Sequence, residues 1–181
     1  MTTQLERILQ EIQTTVSSIR AEDAEKLVNG ILDAKKVFVA GAGRSGFMAK
    51  SFAMRMMHVG LEPYVVGETV TPNLEKGDLF IVGSGSGETK SLVAMAEKAK
   101  SIGAAVAAVT IVPDSSIGRL ADIIIEIPAQ TKADTTHSSI QPMGSLFEQS
   151  LLLFYDSLIL LIMEKRGMDA DNMYGRHANL E

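Results

Sequence analysis

At 181 residues the chain amounts to about one domain, long enough to bury a core without metals or disulfides. Hydrophobic residues make up 46% and charged residues 22%, which excludes a disordered chain and a coiled-coil rod. The net charge of −5 and the lack of any Lys/Arg-rich run argue against nucleic acid as a partner, and with no cysteine and three histidines there is too little material for a zinc site.

The N-terminus has no basic region leading into an apolar signal core, which places the expected location in the cytoplasm. Leu5, Ile8, Leu9, Ile12, Val16 and Ile19 recur at helical spacing, as do Ala24, Leu27, Val28, Ile31 and Leu32 before Lys35 and Lys36, where cations suit a helix's negative end. The two predicted helices form an N-terminal arm, residues 1–35. Short continuous apolar runs then alternate with helical stretches. Val37-Phe38-Val39-Ala40, Tyr64-Val65-Val66, Leu79-Phe80-Ile81-Val82, Ala105-Val106-Ala107-Ala108-Val109 and Ile123-Ile124-Ile125 read as five strands covered on both faces, with helices predicted at about 45–59 and 88–102. The pattern specifies an α/β core over residues 36–166: a three-layer, doubly wound, parallel five-stranded sheet.

Residues 128–141 are polar and read as a long loop that includes His137. Pro142 opens a helix predicted to run to about Arg166, with Gly167 as its stop and residues 167–181 as a tail. Leu151 to Met163 is apolar nearly all round. It is shorter than the roughly 18 to 20 apolar residues a bilayer span needs, so a buried helix is expected, and no membrane partner. One sheet face cannot cover so much apolar surface, which suggests subunit association.

Two loops carry the functional signal. The first strand ends in Gly41-Ala42-Gly43-Arg44-Ser45-Gly46 as a helix begins, a place where free N–H groups and close backbone approach suit an anion. The third strand ends in Gly83-Ser84-Gly85-Ser86-Gly87-Glu88-Thr89-Lys90, again at a helix start. The first loop alone fits a dinucleotide fingerprint, but the acid expected about 20 residues on is ambiguous, since Glu62 precedes the second strand and Glu68 follows it only after Gly67. Two such loops at the ends of neighbouring strands converge on one crevice. Backbone N–H groups around Gly43 and the hydroxyls of Ser45, Ser84, Ser86 and Thr89 can surround a phosphomonoester, so the expected partner is a small phosphorylated molecule with no bound cofactor.

On these residues the sequence resembles the sugar isomerase (SIS) domain family, whose phosphosugar loop stands here as Ser84-Gly85-Ser86-Gly87-Glu88-Thr89. Gly41 to Met48, Gly67-Glu68-Thr69-Val70-Thr71-Pro72, Gln141-Pro142-Met143-Gly144-Ser145-Leu146-Phe147-Glu148 and His177-Ala178-Asn179-Leu180-Glu181 extend the resemblance to its hexulose-phosphate isomerases over nearly the whole chain. The resemblance implies a flavodoxin-like or Rossmann-like SIS domain and a homotetramer working without a metal. It also implies interconversion of D-arabino-3-hexulose 6-phosphate and D-fructose 6-phosphate, as in the ribulose monophosphate pathway of formaldehyde fixation.

Moving a ketone between C3 and C2 requires proton removal from C2, an enediolate, and protonation at C3, so a base and an oxygen-stabilising donor must cooperate. Glu148, near the start of its helix, is the chosen base. The resemblance supports it, against the alternative of a carboxylate that merely complements the helix dipole. Arg44 could hold phosphate or polarise a sugar oxygen, or lie solvated on the surface. His58 is 13 residues past Ser45, about 20 Å along one helix, and so reads as a satisfied or surface histidine unless a neighbouring subunit's sugar lies beside it. His177 sits in a terminus where fraying is the plain alternative. Either histidine could assist ring opening or proton transfer in trans. Met48, Met54, Met56, Met57, Phe147, Phe154 and Tyr155 are expected to pack the core or a subunit contact. Three other functions fit less well: a phosphosugar-sensing module without chemistry, a nicotinamide-dependent oxidoreductase, and an aldose–ketose sugar-phosphate isomerase.

Overall fold

The computed structural model describes residues 3–133 and 139–180; His137 lies outside them. Each predicted apolar run forms a strand: β1 (Val37–Gly41), β2 (Pro63–Val65), β3 (Leu79–Gly83), β4 (Ala105–Thr110) and β5 (Ile123–Glu126). All pairings are parallel and the order is β2-β1-β3-β4-β5. This is the flavodoxin-like winding, which reverses between β1 and β3 and opens a crevice at their C-terminal ends. In that register Gly41 lies opposite Gly83, so the two glycine-rich loops leave the sheet side by side.

The strand runs are continuous because successive side chains enter different cores. Val37, Val39, Leu79 and Ile81 pack with α2 (Ala21–Asp33), α3 (Arg44–His58) and α6 (Ser145–Arg166). Phe38, Ala40, Phe80 and Val82 face the other way, toward α4 (Lys90–Ile102) and α5 (Ser116–Leu120). The helix α1 (Thr3–Ser17) rests on α6, and a short α7 (Ala170–Tyr174) follows in the tail.

Several boundaries differ from expectation for local reasons. The helix α2 ends at Asp33, so Lys36 does not serve its C-terminus and instead pairs with Glu75 at 3.0 Å and Asp78 at 3.5 Å. The helix α4 begins at Lys90 rather than 88, because Glu88 turns away to cap α5: its two carboxylate oxygens accept from the Ser116 backbone N–H and hydroxyl, both at 2.7 Å. Those two donors hold the Glu88 carboxyl below its ordinary range. The five-residue α5 is too short to show a period. It is marked only by Ser115, whose Oγ accepts from the Gly118 N–H at 3.2 Å.

The helix α6 starts at Ser145 rather than at Pro142, since Met143 between them has φ 61°. That left-handed conformation in a non-glycine residue is incompatible with continuing a helix. Gly167 stops α6 in the left-handed conformation, as expected. One side of α6 is core: Leu151, Phe154, Leu158 and Ile162 recur at helical spacing and are buried. The other side leaves Leu153 46% and Leu160 66% exposed. At 22 residues α6 is long and apolar enough to cross a membrane by length and composition, yet over half of its most apolar stretch is buried against the rest of the chain, as in a core helix.

The predicted packing residues divide. Phe147, Phe154, Tyr155 and Met56 are buried, and Tyr155 stacks on Phe52 with ring centroids 4.3 Å apart. Met48 is half-buried, whereas Met54 and Met57 face outward because they lie on the side of α3 turned from the sheet. On α1 the apolar stripe is only partly covered: Ile8, Ile12 and Val16 are half-buried, but Leu5 and Leu9 are exposed.

Candidate functional site

The loop after β1 turns into α3 because two backbones meet where no side chain fits. A Cβ on Gly46 would stand 2.7 Å from the Gly41 carbonyl oxygen. Gly43, just before the helix, has φ 58° and ψ −135°, a conformation open essentially to glycine alone. The result points the first turn of α3, with buried Ser45, at the end of β3.

The second loop is braced by its own hydroxyls and by β4. The Gly87 N–H donates to Ser84 Oγ at 3.2 Å and the Glu88 N–H to Ser86 Oγ at 3.3 Å. The Gly85 carbonyl accepts from the Ile111 N–H at 3.0 Å and from Thr110 Oγ1 at 3.2 Å. Ser84 and Ser86 thus accept from the backbone, and each hydroxyl hydrogen remains available to an anion.

Between the loops lies a cavity of about 270 Å³, near the lower end of the size range for small-molecule sites. Ser45, Ser84, Ser86, Thr89 and Glu148 all line it. The Glu148 side chain is 4% exposed, so its charge needs partners, and among the described residues it has two. Arg44 Nε lies 3.1 Å from Oε2, and Lys132 Nζ 3.6 Å from Oε1. Arg44 Nη1 also donates to Ser145 Oγ at 3.1 Å, so this guanidinium ties the start of α3 to the start of α6. A carboxylate held between two cations, in a cavity also lined by serine and threonine hydroxyls, can act as a proton acceptor once a cation gives way to substrate.

A model of the SIS domain matches residues 30–159, which include both loops and Glu148. The chain belongs to the SIS domain family. Among proteins similar to this SIS domain, the 3-hexulose-6-phosphate isomerase of Bacillus subtilis is 56% identical over 176 residues, covering 96% of this chain and 95% of the relative. That of Mycobacterium gastri is 42% identical, covering 100% and 92%. A solved structure from Methanococcus jannaschii, for which a molecular function of 3-hexulose-6-phosphate isomerase has been inferred, superposes with a TM-score of 0.86 at 34% identity. It covers 99% of this chain and 100% of that one.

The SIS domain brings together Ser45, Ser84, Ser86, Thr89 and Glu148 around one cavity, with Gly43 shaping the loop and Arg44 set against Glu148. It places His58 and His177 elsewhere. His58 is buried at the far end of α3, its ring stacked on that of His177 at 5.5 Å, and neither lines the cavity of the same chain. Burial, then the nearby Arg55 charge and His177, push the His58 imidazole below its ordinary pKa. Sequence reasoning missed Lys132 and the role of Phe147 as a cavity wall. The only sequence signal for Lys132 was its place in a polar loop that precedes the helix carrying Glu148. Among the described residues no group of three or more His, Asp and Glu side chains is placed to hold a metal ion.

Proposed function

We propose that this SIS domain interconverts D-arabino-3-hexulose 6-phosphate and D-fructose 6-phosphate, the activity named for its relatives from Bacillus subtilis and Mycobacterium gastri. The phosphate binds among Ser45, Ser84, Ser86 and Thr89, with free N–H groups at the start of α3, and the sugar chain extends toward Glu148. One carboxylate oxygen removes the C2 proton of the 3-hexulose. The electron pair forms the C2–C3 double bond while negative charge moves to O3. The oxygen-bound proton passes from O2 to O3, the C2 ketone forms, and Glu148 returns its proton to C3. Arg44 fixes the carboxylate through Oε2, which leaves Oε1 toward the cavity.

The observation that carries this reading is a buried carboxylate lining the same cavity as a cluster of serine and threonine hydroxyls. Glu148→Gln should lower turnover by roughly 10²-fold or more with fructose 6-phosphate binding largely kept, the scale of a lost general acid–base group. A coupled isomerase assay with a binding isotherm reads both, and near-normal turnover would remove Glu148 from the mechanism. In deuterated water the wild type should exchange carbon-bound hydrogen of fructose 6-phosphate, whereas a sensor would bind without exchange.

We further infer one domain over residues 1–181 acting in the cytoplasm, in the formaldehyde-fixing pathway, as a homotetramer. Support for association comes from the exposed Leu153 and Leu160 of α6 and the groove beside them lined by Val16, Ile19 and Leu161. In such an assembly exposed His177, stacked on buried His58, is the member of the pair that can meet a neighbour's sugar, and asymmetric hybrids of His177 and Glu148 variants would reveal it by restored activity.

A further inference from the structure

Glu148 holds its two cations unequally, and the inequality assigns them different work. Arg44 has two fixed contacts, to Oε2 of Glu148 and to Ser145 Oγ. Lys132 sits 3.6 Å from Oε1, beyond ordinary hydrogen-bond length, with its loop neighbours Thr131 and Ala133 also on the cavity wall; the two side chains are equally exposed, 54% for Arg44 and 55% for Lys132, so their contacts alone set them apart. Its stem passes over the first turn of α6, where a Cβ on Gly144 would lie 3.2 Å from Lys132 Cε. A compact ammonium on a flexible four-carbon stem can change partner at little cost, unlike a guanidinium fixed at two points.

We propose that Lys132 is the electrophile of the reaction: when sugar enters, its ammonium leaves Oε1 of Glu148 for the carbonyl oxygen and stabilises the enediolate. This inference rests on the isomerase reading above. The exchange does two things at once. It frees Oε1 to take the C2 proton, and it brings a positive charge to the oxygen where negative charge develops. No proton is lost from Lys132: the ammonium donates a hydrogen bond to the enediolate oxygen and returns to Oε1 when product leaves. Arg44 keeps the carboxylate in place throughout, so the base does not drift when its second partner departs.

The test compares Lys132→Met and Lys132→Arg with the wild type, measuring kcat and KM for fructose 6-phosphate and inhibition by inorganic phosphate. The expected result for Lys132→Met is a fall in kcat of roughly 10²-fold, with KM and the phosphate inhibition constant within about threefold of wild type. Lys132→Arg should recover at least about tenfold of that loss, because the charge and a donor are restored. A kcat within threefold of wild type in Lys132→Met would overturn the assignment. So would a loss confined to KM and phosphate inhibition, which would make Lys132 a phosphate ligand, or an equal loss in both variants. Because Lys132 is half exposed, both proteins are expected to fold, and Lys132→Gln serves in place of any that does not. An inactive wild type would defeat the isomerase reading itself, an outcome separate from these.

Discussion

At Gly46 a methyl group would have to share space with the Gly41 carbonyl oxygen 2.7 Å away, and backbone on both sides leaves nothing flexible to yield. Gly46→Ala should therefore cost about 1 to 3 kcal/mol in urea unfolding and, if the proposed roles hold, raise KM more than it lowers kcat, since the strained piece is the loop between β1 and α3 and not Glu148. Residues of this kind were legible in the sequence because glycine and hydroxyl spacing is local. Ser45, Ser84, Ser86 and Thr89 needed only the strand ends to be placed, and the Gly41 to Gly83 register placed them. Lys132 was not legible, because it lies in irregular chain and nothing within several residues of it indicates that it meets Glu148, 16 positions on. Arg44 was legible as part of the first loop but not in its contacts: it was expected on phosphate or a sugar oxygen, or in solvent, and the Ser145 and Glu148 side chains it meets lie on another helix about 100 residues away.

Between elements, the connection that matters most for the site is the one from α1 to the segment ahead of α6. Glu11 accepts from the Ile140 N–H at 2.7 Å, from Ser139 Oγ at 2.8 Å and from Gln141 Nε2 at 3.1 Å. Burial alone would raise its pKa, but these donors outweigh it and hold the carboxyl below its ordinary value. The sign follows: a carboxyl whose folded pKa is depressed adds stability that is full above its unfolded pKa, near 4.5, and lost as pH falls through the lower folded value. Asp122, also lowered by Lys100 and the Val106 N–H against the effect of burial, acts in the same direction. Glu11→Gln should destabilise by about 1 to 2 kcal/mol at pH 7, the range for hydrogen bonds to a partly screened charge, and the gap from wild type should narrow below pH 4. Urea titrations at both pH values check this, and faster hydrogen exchange at Ile140 would locate the loss. Helix and strand identities were readable from period and run length. The boundaries that shifted, at Lys90 and Ser145, did so through a long-range cap and a left-handed Met143, neither of which periodicity encodes.

For the whole molecule, the continuous apolar strands correctly implied a sheet buried on both faces, and the excess apolarity of α6 reappears as Leu153 and Leu160 in solvent. Leu160→Glu should leave the fold intact, because the side chain is 66% exposed, and shift sedimentation toward smaller species if α6 forms a subunit contact. An unchanged oligomer would place the contact elsewhere. In the proposed complex phosphate sits between the β1 and β3 loops, and the middle carbons of the sugar lie against Glu148. A crystal structure of Glu148→Gln soaked with fructose 6-phosphate would read both placements. The phosphate should lie within hydrogen-bond reach of Ser45, Ser84, Ser86 and Thr89, with C2 and C3 facing residue 148. A phosphate seated outside those loops, or C2 and C3 turned away from residue 148, would contradict the proposed complex.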